Sequence, residues 1–144
     1  MTSAIKNGAR LLFGDGSRPS EKGDGYYFSP TILTDVSDHS LIASTEIFGP
    51  VTCLYCFDDE LEALELVKKF PYGLSAGIYC SQLEKVRRLV RNLRTVNVWV
   101  NGYKKLDPAM PFGGVKSSGF GKECGIEGIL SFTRTKSVVE SFSV

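Results

Sequence analysis

Residues 51–100 read VTCLYCFDDELEALELVKKFPYGLSAGIYCSQLEKVRRLVRNLRTVNVWV, a stretch in which strand-like and helix-like apolar patterns take turns. Val51 to Phe57 alternates in the manner of a strand. Asp59 then offers an N-cap three residues before Glu62, for a helix running to about Phe70 with Leu61, Leu64 and Val67 along one face. Pro71-Tyr72-Gly73 ends that helix by removing a donor and permitting a positive φ, and Ala76 to Cys80 follows as a short strand. Ser81 with Glu84 makes a capping box for a second helix through about Asn92, whose buried face is Leu83, Val86, Val90 and Leu93. Val96 to Val100 is the third strand. Two β-α units of roughly 20 residues each imply parallel strands joined by right-handed crossovers. The expected fold class is α/β, with a parallel β-α-β-α-β core.

Working outward, the apolar stretch Ala9 to Phe13 is followed by a polar, glycine-rich loop from Gly14 to Gly25 and then by an aromatic strand, Tyr26-Tyr27-Phe28. Pro30 to Val36 is extended as well, because Thr31, Ile32, Thr34 and Val36 are β-branched. Beyond Asn101-Gly102 the chain is irregular up to Lys122, with a short helix around Glu123 to Leu130. Lys136 to Val144 alternates Val138, Glu140 and Phe142 with Val139, Ser141 and Ser143, the pattern of a terminal strand with nothing after it to pair.

The 144 residues suffice for one domain with a real core, and 42% apolar residues with 23% charged describe a soluble globular protein. A formal net charge of +1 gives no bias toward nucleic acid or anionic lipid. No apolar run approaches the length needed to cross a bilayer, and Met1-Thr2-Ser3-Ala4-Ile5-Lys6 lacks a secretory h-region, so the expected location is cytoplasmic. Cys53, Cys56, Cys80 and Cys124 lie mostly in apolar segments, which suits reduced thiols used as small hydrophobes.

The residues give no self-contained catalytic constellation. His39, the one histidine, lies in the polar segment Ser37-Asp38-His39-Ser40 and reads as solvated. Cys53 and Cys56 have C-x-x-C spacing, but on a strand residues three apart face opposite ways and cannot share a ligand, so no metal site is expected. Gly114-x-x-x-x-Gly119 has Phe120 where a phosphate-binding loop needs lysine, and Gly119-x-Gly121-x-x-x-Gly125 follows polar residues where a dinucleotide fingerprint needs a buried strand. Lys85, Arg87, Arg88, Arg91 and Arg94 make the second helix basic, yet no aromatics interleave on that face, so a solvated surface is expected and nucleic acid is not.

Two runs carry more information in combination. Glu46-Ile47-Phe48-Gly49-Pro50-Val51 lies upstream of Pro111-Phe112-Gly113-Gly114-Val115-Lys116-Ser117-Ser118-Gly119, with the strand-helix pattern between them. Gly8-Ala9, Gly25-Tyr26-Tyr27-Phe28 with Pro30-Thr31, Tyr72-Gly73-Leu74 and Val98-Trp99-Val100-Asn101 complete an ordered series over nearly the whole chain. The series resembles the C-terminal part of the aldehyde dehydrogenase superfamily, residues 1–135 matching the end of its catalytic domain and residues 136–144 its oligomerisation strand. The resemblance implies an NAD or NADP cofactor, with Glu46 on the nicotinamide ribose hydroxyls and Phe48 against the nicotinamide. It implies that Phe112, and Leu106 in the loop Lys104 to Met110, wall the tunnel for an aldehyde substrate. It also implies a homo-oligomer formed through the terminal strand.

The chemistry of these assignments is coherent. One carboxylate can accept hydrogen bonds from two vicinal hydroxyls and so orient a ring for hydride transfer. Pro50 fixes its own φ and keeps Gly49 out of the helical region, which stiffens the turn. The family's nucleophilic cysteine, oxyanion donors, general-base glutamate and dinucleotide-binding domain all lie N-terminal to the portion that matches. None of the four cysteines stands at the nucleophile position, so no catalytic residue is assigned, and Thr45 occupies a place where many relatives have a second glutamate. The leading expectation is a C-terminal segment of an enzyme converting aldehydes to acids through a thiohemiacetal and hydride transfer, inactive alone and completed by the missing N-terminal portion or a partner chain. The alternative is a non-catalytic interaction module that pairs through its edge strand.

Overall fold

The structure, a computed structural model, describes residues 1–142, the side chain of Lys22 excepted. The chain divides into two compact units, Met1–Phe70 and Pro71–Val144. In the first, helix α1 (Thr2–Lys6) leads into strand β1 (Arg10–Phe13), a single 3-10 turn at Ser20–Lys22, strand β2 (Thr31–Thr34), helix α2 (Leu41–Ser44), strand β3 (Val51–Cys53) and helix α3 (Glu60–Lys69). The second contains strand β4 (Ser75–Ile78), helix α4 (Leu83–Asn92), strand β5 (Asn97–Val100) and helix α5 (Gly125–Leu130).

Sheet order in the first unit is β1-β2-β3. β1 runs antiparallel to β2 with an irregularity between Leu11 and Phe13, and β2 runs parallel to β3 with Thr31 opposite Val51 and Leu33 opposite Cys53. Alternation along β2 turns Thr31 and Leu33 inward, where they are 2% and 0% exposed. Leu33 joins Ala4, Ala9 and Val36 in the small core, against which Met1, Leu11, Ile42, Ala43, Cys53 and Tyr55 pack. The buried Thr31 hydroxyl is satisfied by donating to the Ser29 carbonyl at 2.8 Å.

Helix α3 begins as the sequence requires: Asp59 Oδ1 accepts from the N–H groups of Leu61 at 2.8 Å and Glu62 at 2.9 Å. The reciprocal bond reaches one residue further back than a standard box, Glu62 Oε2 accepting from the Asp58 N–H at 2.7 Å. In the second unit β4 and β5 pair in parallel, Gly77 opposite Trp99, with α4 as the crossover. This is an α/β chain with parallel pairing, as expected.

Several boundaries and contacts differ from the sequence reading. The ladders fall into two sheets, β3 joining β2 and β4 joining β5. β3 stops at Cys53, after which the Leu54 N–H makes one last bond to the Leu33 carbonyl at 2.8 Å. Ser81 does not cap α4. The helix starts at Leu83 with Gln82 as N-cap, and the Gln82 N–H is taken by Cys80 Sγ at 3.4 Å while Glu84 pairs with Arg87 at 2.8 Å. Tyr26-Tyr27-Phe28 forms no strand; no ladder partner lies beside it, and Tyr26 stands fully exposed. Residues 136–142 carry no ladder, and Ser143 and Val144 of the expected terminal strand lie outside the described residues.

Candidate functional site

The Glu46-to-Val51 run is built as a strap between α2 and β3. The Thr45 N–H closes α2 onto the Leu41 carbonyl at 3.0 Å. Two successive three-residue turns follow, the Gly49 N–H donating to the Ile47 carbonyl at 2.7 Å and the Val51 N–H to the Gly49 carbonyl at 2.8 Å. The Thr31 N–H then donates to the Pro50 carbonyl at 2.8 Å, fastening the strap to the start of β2. Pro50 has no N–H, and these three bonds require none from it.

Held this way, the strap turns its side chains outward. Phe48 is 95% exposed, and Ile47 and Glu46 are exposed beside it. Phe28, Leu41, Ile42, Ile47, Phe48 and Gly49 line an apolar groove of about 420 Å³, to which Glu46 does not contribute. A Cβ on Gly49 would meet nothing closer than Ile47 Cγ2 at 3.8 Å, so this chain's own packing does not demand the glycine. Its bare backbone leaves room for a flat group to approach the strap.

Behind the strap a second cavity of about 360 Å³ is lined by Cys53, Tyr55 and Phe70 among others. Tyr55 meets Phe70 edge to face at 6.0 Å, and its buried hydroxyl has no hydrogen-bond partner. Burial pushes the Tyr55 phenol up from its ordinary value, helped by the nearby Cys53 and Asp38 charges. Burial raises the Cys53 thiol as well. Neither group is poised as a nucleophile.

In the second unit the run from Pro111 is a loop clasped at several points. Phe112 and Glu123 exchange both backbone hydrogen bonds, each at 2.8 Å. The Gly73 N–H donates to Ser118 Oγ at 3.0 Å, and Asn97 Nδ2 donates to the carbonyls of Leu74 at 3.0 Å and Gly113 at 3.2 Å. Lys122 Nζ donates to the Gly114 and Gly121 carbonyls at 3.0 and 3.1 Å. A Cβ on Gly114 would lie 2.4 Å from the Ser118 carbonyl oxygen, so here glycine is obligatory. Phe112 is thereby fixed and half-buried, whereas Leu106 is 68% exposed in its own loop.

Sequence reasoning missed Asn97 and Lys122, whose work is done by side chains reaching distant carbonyls. A polar residue opening an apolar strand was the available signal for Asn97. His39 is exposed, its N–H donating to Ser37 Oγ at 3.3 Å. All four cysteines are unpaired, Cys53 and Cys80 half-buried and Cys56 and Cys124 exposed. No group of three metal-ligating side chains occurs among the described residues, and none of their helices is long and apolar enough to cross a membrane.

Residues 1–138 match the family described as "Aldehyde dehydrogenase family". The chain is 40% identical over 131 residues to betaine aldehyde dehydrogenase 1 of Rhizobium meliloti, a match covering 91% of this chain and 27% of that protein. It is 37% identical over 139 residues to human 2-aminomuconic semialdehyde dehydrogenase, covering 94% of this chain and 28% of the relative. The fold superposes on a crystal structure of a Mycobacterium tuberculosis aldehyde dehydrogenase complexed with NAD+, with a TM-score of 0.88, 36% identity, and coverage of 99% of this chain and 30% of that one. The chain thus spans less than a third of the length of the relatives it matches. On the extent of that match, together with the agreement in fold, the chain belongs to the aldehyde dehydrogenase family.

Proposed function

We propose that this chain is the C-terminal portion of an NAD(P)-dependent aldehyde dehydrogenase catalytic domain, that it supplies the nicotinamide-ribose contacts and one wall of the aldehyde tunnel, and that it does not turn over alone. The observation that carries this reading is the outward strap, with Phe48 exposed at the mouth of an apolar groove and the Glu46 carboxylate exposed beside it. An exposed aromatic face suits packing against a flat ring, and a neighbouring carboxylate suits vicinal hydroxyls. When bound, the cofactor accepts hydride from the substrate; the chain's part is to orient it. Glu46 holds the ribose, Phe48 shields the ring from water, and Phe112 and Leu106 shape the apolar channel on the substrate side.

In this reading the nucleophile, the oxyanion donors and the dinucleotide-binding domain come from the missing portion of the family fold or from a separate chain. Oligomerisation runs through residues 136–144, and the four unpaired thiols suit a cytoplasmic setting. The test is co-expression with a chain carrying the missing catalytic portion. Restored aldehyde-dependent NAD(P)H formation is expected, and Glu46→Gln in that assembly should lower turnover about tenfold to a hundredfold, the span of one charge-assisted hydrogen bond. Full turnover by the variant would remove the ribose assignment.

A second reading has its own observation. Val138, Val139 and Phe142 are 66%, 92% and 83% exposed on an unladdered terminal segment, which suits an interaction module that adds a strand to a partner. Tight association without any activity in the same co-expression would favour it.

A further inference from the structure

We infer that Trp99 positions the loop Lys104 to Met110, and with it Leu106, by donating its indole N–H to the Lys105 carbonyl. This rests on the reading above in one respect, that Leu106 faces substrate. Trp99 lies on β5, and its Nε1 donates to the Lys105 carbonyl oxygen at 2.7 Å, a short bond spanning six residues. The chain turns back over the strand to allow this. Asn101 takes a φ of 50° and its side-chain amide pairs with both backbone groups of Cys80, at 2.9 and 3.0 Å. Lys104 takes a φ of 56° and sets its ammonium 5.6 Å from the Tyr103 ring centre.

The returning Tyr103 ring stands edge to face with Trp99 at 5.1 Å, and the residue opposite Trp99 across the ladder is Gly77. A Cβ there would stand 3.4 Å from Tyr103 Cδ2, in van der Waals contact, so the ring packs directly over the strand at Gly77. The far end of the loop is pinned independently. The Met110 N–H donates to the Asp107 carbonyl, the Ala109 N–H to Asp107 Oδ1, and the Gly125 N–H to the Pro108 carbonyl, all at 2.9 Å. Leu106 sits between the two anchors, so releasing the Trp99 anchor frees the side on which Leu106 enters the loop. Trp99 is a positioning residue, acting on specificity through Leu106 rather than on the reacting atoms.

The test uses the single indole of the chain as its own probe. In the ¹⁵N-labelled full chain, the Trp99 indole N–H is expected to exchange with solvent at least tenfold more slowly than free indole. Trp99→Phe, which keeps an aromatic ring for Tyr103 but has no donor, is expected to lower the ¹⁵N order parameters of the Lys105 and Leu106 amides, while the independently pinned Ala109 and Met110 amides and those of Asn97 and Asn101 stay protected. In the co-expressed assembly the same variant should raise the aldehyde KM about threefold to tenfold, the weight of one hydrogen bond, with kcat within about twofold. Free exchange of the wild-type indole, unchanged Lys105 and Leu106 amides in the variant, or a fall in apparent kcat at unchanged KM, as a plain loss of folded enzyme gives, would each overturn the inference. Leu106→Ala separates the two claims: if it leaves the aldehyde KM unchanged, or the wild-type assembly is inactive, the tunnel reading falls, while the exchange data still decide the anchor.

Discussion

Cys53 sits half-buried at the end of β3, and burial raises its thiol above the ordinary value of 9.0, whereas Cys56 three residues on is exposed. A raised thiol value means less thiolate at any given pH, so Cys53 should react with iodoacetamide more slowly than Cys56 and Cys124, which mass spectrometry of a labelling time course would show. Equal rates would contradict the burial. The linked stability term is fully present below pH 9 and is lost as pH rises through the raised value; Tyr55 acts in the same direction from its ordinary value of 10.0. At this scale the runs that carry Glu46, Phe48 and Phe112 were legible as family motifs, because their order along the chain is distinctive. The clasping roles of Asn97 and Lys122 were not, since a side chain's reach to a carbonyl 16 or 8 residues away has no sequence period.

The elements were legible where local chemistry decides them. Asp59 caps α3 through two backbone N–H groups, so Asp59→Ala should cost about 1 kcal/mol, read as a lower urea midpoint at unchanged slope. Ser81→Ala, at a position the sequence also marks as a cap, should change the midpoint by no more than about 0.5 kcal/mol because α4 starts two residues later. A larger loss at Ser81 than at Asp59 would contradict the observed helix start. Strand extents were less legible. β3 keeps only Val51–Cys53 of an apolar run that reads to Phe57, because ladder length is set by the neighbouring strand, here the four residues of β2.

For the whole molecule, the apolar faces anticipated for the helices are mostly uncovered. Leu64 is the one buried residue of α3 and Val86 that of α4, while Leu61 and Leu83 are 69% and 60% exposed. Such a surface suits a chain that is covered by the rest of its family's fold, and periodicity alone could not reveal it, since a helix face reads the same whether its cover is in the same chain or elsewhere.

The most direct measurement is aldehyde-dependent NAD(P)H formation by the purified chain, assayed alone and again after co-expression with a chain carrying the rest of the family's catalytic domain. No turnover is expected from the chain alone, and turnover is expected from the assembly. Turnover by the isolated chain, with full-length enzyme excluded by mass spectrometry, would contradict the proposed function.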